Sequence, residues 1–147
     1  MAPTLYGVWR SLAPPKVEIF IWLAILYRLN TKDTLLHKGI IDVSFSKWPL
    51  CKLEVEYVNH LFVLCLFARA IWYGLANWWG VLWIFPLSLC DLFTQWEEIV
   101  LGSFQKKVWM VLFFSALWTL WLERNNVVFN TVSFNVIKTF FLIIHRA

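Results

Sequence analysis

Cys51, His60 and Cys65 are the residues of this chain whose types and spacing could do chemistry. Thiolates and imidazole are the donors zinc prefers, and a structural zinc takes four of them in a tetrahedron. Such sites are commonly assembled from a Cys-x2-Cys turn and a second pair of ligands near a helix start. Here Trp48-Pro49-Leu50-Cys51 supplies the turn, and His60-x4-Cys65 follows eight residues later. A cysteine at position 48 would complete Cys-x2-Cys-x8-His-x4-Cys, but that position holds a tryptophan. Three donors remain. The fourth corner is open to water, to a distant group such as His37, Asp42 or Cys90, or to nothing, with no metal bound.

The same stretch carries a wider resemblance. Pro49, Leu50, Cys51, Glu56, His60, Leu61, Phe62, Cys65, Phe67, Ala68 and Trp72 together resemble the zinc-binding domain of plant LINE-type retrotransposon reverse transcriptases. Upstream, Val8-Trp9-Arg10, Ala13-Pro14-Pro15-Lys16-Val17 and Phe20-Ile21-Trp22 are similar to that family's entry segment, and Thr31 to Gly39 to its second helix. Downstream, Trp121-Leu122-Glu123-Arg124-Asn125-Asn126 and Phe129 resemble a Trp-x2-Arg-Asn segment that follows it. The resemblance implies that Trp48, Cys51, His60 and Cys65 occupy the four ligand positions, and that Glu54 and Glu56 are ordinary acidic positions. Trp48 for cysteine and Leu66 for proline are its two departures. It also implies a fragment of a longer polyprotein or a decayed copy of one.

Enzymatic chemistry has little to work with. A three-ligand zinc with an open position is catalytic in principle, but needs a general base and a cleft. Asp33, Asp42 and Asp91 are isolated, so neither paired polymerase aspartates nor an RNase H carboxylate cluster is present. None of the five glycines stands in a phosphate-gripping motif, and no GxSxG elbow announces a nucleophile. The expectation is a non-catalytic module.

In 147 residues, 61% hydrophobic and 19% aromatic with eleven tryptophans, there is ample material for a core. A net charge of +4 is scattered rather than massed, a mild bias toward polyanions. Lys47, Trp48, Lys52, Tyr57 and Arg69 surround the ligand motif, where aromatic stacking and cations could meet single-stranded nucleic acid; the plainer reading is that Trp48 and Tyr57 pack locally. The cluster Trp78, Trp79 and Trp83 reads as core or as a contact surface for an apolar protein partner. Three cysteines and an N-terminus without a basic leader point to a reducing compartment, nucleus or cytoplasm, with Cys90 a buried small hydrophobe.

These residues need elements to position them, and the pattern is helical. Pro15 opens a helix to about Leu29; Asn30 or Thr31 caps another that Gly39 closes. Ile41, Val43 and Phe45 alternate with Asp42 and Ser44, predicting a strand or hairpin arm before Pro49. One helix carries His60 and Cys65, and a second runs from about Phe67 to Trp79, stopped by Gly80. Ser88 caps a helix to about Val100, a long helix runs from about Phe104 to Asn126, and Thr131 or Ser133 opens the last.

The apolar run Val108 to Leu122 is fifteen residues, short of the roughly 20 that span a bilayer, so a membrane is an unlikely partner. Ser115, Thr119, Glu123 and Asn126 draw a polar stripe along it, predicting one wet edge. The expected fold is mainly α, a small helical domain over residues 1–80 with an irregular or β-hairpin zinc-knuckle-like insertion, and a helical extension over 81–147 packing on it. Its function is expected to be that of a reverse-transcriptase-derived accessory module with one zinc ligand lost. The other reading is a helical interaction or membrane-associated protein with no metal site.

Overall fold

A computed structural model describes residues 12–47, 55–81, 86–130 and 133–147. Among these, 73% are helical and no strand occurs. Six α-helices follow in order: α1 Pro15–Ile25, α2 Lys32–His37, α3 Leu66–Trp79, α4 Leu89–Glu98, α5 Ser103–Asn130 and α6 Val136–Arg146. A 3-10 turn at Val43–Phe45 and a π turn at His60–Leu64 lie between α2 and α3.

Local chemistry accounts for most of the ends. Pro15 sits in the first turn of α1, where its missing N–H costs nothing. Gly39 at φ 74° and Gly80 at φ 86° end α2 and α3 in the left-handed conformation that other residues avoid. Ser88 Oγ accepts from Asp91 N at 3.1 Å to start α4, and Asn135 Oδ1 accepts from Lys138 N at 2.9 Å to start α6. The cap of α6 is therefore Asn135, not Thr131 or Ser133. Helix α1 stops at Ile25, short of Leu29, because Arg28 N bonds back to Leu23 O with Tyr27 in between at φ 58°.

The hairpin arm expected around Ile41, Val43 and Phe45 is not formed. Phe45 N and Ser46 N close on Asp42 O and Val43 O, and Ser46 Oγ donates to Val43 O at 2.6 Å, which winds the segment into the 3-10 turn. Its apolar side chains face water, with Val43 73% and Phe45 63% exposed, so the alternation never found a second strand to pair with. What remains of sheet is a single antiparallel bridge, Lys47 to Val55. It closes the root of a loop whose residues 48–54 lie outside those described.

One hydrophobic core runs from α1 through the π turn to α6. Its centre is aromatic: the Trp72 ring meets Trp96 edge-on at 5.4 Å and Phe113 at 5.5 Å. Trp96 and Trp109 stack at 3.7 Å with planes 4° apart, and each indole N–H donates to the other's carbonyl, at 2.6 and 2.9 Å. Two large side chains thereby bury fully with both polar atoms satisfied, locking α4 against α5. Lys106 reinforces the turn between them by donating to the carbonyls of Glu97 and Ile99 at the end of α4.

The polar stripe of α5 is not a wet edge. Ser115, Thr119 and Glu123 are buried and Asn126 is half-buried, and α6 packs on α5 with bonds to the first two. Ser115 Oγ donates to Ile143 O at 2.8 Å, and Thr119 Oγ1 accepts from Arg146 Nη1 at 3.1 Å, so the stripe is a hydrogen-bonded seam between helices. The apolar run beginning at Val108 is spent on this core, and no described helix is long and apolar enough to cross a membrane.

Replacing Trp109 by Ala removes a large buried ring and the indole N–H that donates to Trp96 O, leaving that buried carbonyl without its donor. The expected cost is about 3–5 kcal/mol of unfolding free energy, read from urea denaturation followed by far-UV circular dichroism. A loss below about 1 kcal/mol would show that the stacked pair is not central to the core.

Candidate functional site

The described part of the site is the strip from Val55 to Cys65. Its two donors, His60 and Cys65, are both buried, at 4% and 3% exposure. Five residues apart on an α-helix they would point about 140° away from each other, at 3.6 residues per turn. A π turn stands there instead. Cys65 N bonds to His60 O at 2.9 Å, an i to i+5 closure that winds the backbone between them into one wide turn.

The imidazole is oriented as a ligand's would be. His60 Nδ1 lies 3.0 Å from Val55 O. A carbonyl only accepts, so Nδ1 carries a proton and donates it. Val55 is the residue that bridges to Lys47, so the ring is tied to the root of the loop that contains Cys51. The Tyr57 ring lies against the imidazole at 5.7 Å.

Every turn of the strip is wired to a different helix. Trp72 in α3 donates its indole N–H to Phe62 O at 2.7 Å, holding a carbonyl of the π turn from behind. Asn59 Oδ1 accepts from Leu89 N at 2.9 Å, at the start of α4. Glu56 does the most. Its carboxylate receives Arg124 Nη2 at 2.6 Å and Arg124 Nε at 3.0 Å, a bidentate pair with side-chain exposures of 3% and 0%.

Glu56 also caps α2. Its Oε1 accepts from Lys32 N at 2.9 Å, and its carbonyl accepts from Asp33 N at 2.9 Å. Thr31 holds the N-cap position but makes no capping bond through its side chain, which turns instead to Asp33 Oδ1. The anion at the positive end of α2 is therefore supplied from 24 residues away. Burial pushes the Lys32 ammonium below the ordinary lysine range, with Arg124 adding to the effect and Glu56 opposing it. The Arg124 guanidinium is further seated over the Trp121 ring at 4.7 Å.

Of the ligand positions read from sequence, His60 and Cys65 lie at the two ends of the π turn, both buried, while Trp48 and Cys51 lie outside the described residues. Among the described residues no group of three or more His, Cys, Asp or Glu side chains could hold a metal ion. His37 and Asp42, considered as replacements, are exposed on and after α2, and Cys90 is half-buried in α4 rather than in the core. Of the surface considered for nucleic acid, Lys47 is exposed, Arg69 is half-buried and Lys52 lies outside the description. Trp78 is 53% exposed beside Trp79, which packs on Trp109 at 5.5 Å; Trp83 is also outside it.

Glu56 was visible in sequence only as an acidic position. The signal that could have found its role was the second conserved-looking piece of the same resemblance, the Trp-x2-Arg-Asn segment that brings Arg124.

Residues 3–72 match the family described as zinc-binding in reverse transcriptase, a reach of just under half the chain. The match is to that domain and not to a polymerase or RNase H domain. No curated protein and no solved structure matches the sequence. The matched span includes the π turn, Glu56 and Trp72, and excludes Arg124, its ion-pair partner.

Arg124→Met should cost about 3–5 kcal/mol in chemical denaturation, because it leaves the Glu56 carboxylate buried without its counter-charge. Adding Glu56→Gln, which keeps an acceptor for Lys32 N, should restore about 1–2 kcal/mol. Simple additivity of the two losses would show that the residues do not act as a pair.

Proposed function

We propose that the chain is a non-catalytic accessory module derived from the zinc-binding segment of a plant LINE-type retrotransposon reverse transcriptase, in which the protein scaffold of the site persists and one ligand is lost. The observation that carries this reading is the His60 ring bond. Nδ1–H is committed to Val55 O, the way a ligand histidine is commonly held, in a segment whose His-x4-Cys spacing and family match are those of a zinc-binding domain.

Cys51, His60 and Cys65 are the residues that would hold zinc, which supplies a cross-link between the loop and the π turn in place of core contacts. Tryptophan offers no lone pair to a metal, its indole N–H being a donor only. Trp48 therefore leaves a three-donor site, and zinc affinity falls far below that of a four-ligand knuckle. A partner consistent with this origin is single-stranded nucleic acid approaching the loop side, where Lys47 is exposed.

Metal analysis of purified protein tests the reading. The wild type, dialysed against micromolar zinc, should retain well under one equivalent, and Trp48→Cys should retain about one, as four-ligand coordination requires. If Trp48→Cys also retains none, the ligand assignment is wrong.

A further inference from the structure

A cavity between α1 and α5 is lined by none of the residues of the site above. One face of α5, Val111, Phe114, Ser115 and Trp118, meets the entry to α1 at Leu12, Ala13, Pro14, Lys16 and Val17, and together with Arg146 they enclose about 210 Å3. The spacing of the α5 residues, three, one and three, is that of a single helical stripe. A second depression shares Leu12 and continues along the same stripe past Ser103, Lys106, Lys107 and Met110.

The lining is apolar except at its mouth. Its two charged side chains, Lys16 and Arg146, are both cations, and no carboxylate side chain joins them. Arg146 is steadied by its bond to Thr119 Oγ1, which uses one of its five N–H donors. Lys16 Nζ sits 5.8 Å from the Trp118 ring. Glu18 in the first turn of α1 opposes the positive end of that helix, so the attraction for an anion rests on Lys16 and Arg146.

We infer that this cavity binds a small amphiphilic anion, its apolar tail between α1 and α5 and its carboxylate between Lys16 and Arg146. Octanoate, a short acyl chain ending in a carboxylate, matches an apolar lining with cations beside it. A polynucleotide suits the place less well. Its bases need an open aromatic face, whereas Trp118 is edged by Phe20 at 5.3 Å and overlain by Lys16.

Isothermal titration with octanoate tests the site. One saturable site is expected, with 1-octanol binding at least tenfold more weakly. Lys16→Ala with Arg146→Ala should lower octanoate affinity at least tenfold and leave octanol unchanged, whereas Val111→Trp, which fills the cavity, should abolish both. Circular dichroism of each variant must match wild type, and a Lys107→Ala control should leave octanoate binding within twofold. Absence of saturable octanoate binding, equal affinity for octanol, or indifference to the double substitution overturns the inference. So does an oligothymidylate that binds through Lys16 and Arg146 while octanoate does not.

Discussion

The Glu56 carboxylate is the constraint around which the rest of the structure is arranged. It is fully buried, and burying a carboxylate costs several kcal/mol unless donors replace its water. Three donors do so: the two arms of Arg124 and the backbone N–H of Lys32. The residues that satisfy Glu56 come from α2 and from the far end of α5, so the charge is tolerable only when both helices are in place. A short strip with no strand and little helix of its own is thereby fixed between them.

The same strip bears His60 and Cys65, and its other bonds repeat the pattern. Phe62 O is held by Trp72, Asn59 caps α4, and Val55 O orients His60. Trp72 is itself buried in the aromatic group that includes the stacked Trp96 and Trp109. The positions of the donors therefore trace back to apolar burial and to one buried ion pair. In a small knuckle the metal performs that role. Here the buried Trp72, Trp96 and Trp109 and the long α5 hold the strip through protein contacts.

Much of this was legible in sequence because it is local. The caps at Ser88, the stops at Gly39 and Gly80 and the proline at the head of α1 each act within one turn of the residue concerned. The π turn between His60 and Cys65 was not legible, and a helix was expected there. What sequence hid was long-range. Glu56 and Arg124 are 68 residues apart, and nothing in either neighbourhood announces that both are buried. The Ser115, Thr119 and Glu123 stripe has the period of a solvated edge, and only the docking of α6 makes it an interior seam. Conversely, the alternation at Ile41, Val43 and Phe45 had the period of a strand but no partner to bury it.

The central claim is that protein contacts, not a metal, hold the His60 and Cys65 strip in place. Thermal unfolding of the wild-type chain, recorded once with a strong zinc chelator and once with excess zinc, tests it most directly. Ligand that binds only the folded state raises its stability in proportion to the logarithm of concentration over affinity. The account predicts midpoints that coincide within about a degree. A saturable rise of several degrees with zinc, reversed by the chelator, would contradict it.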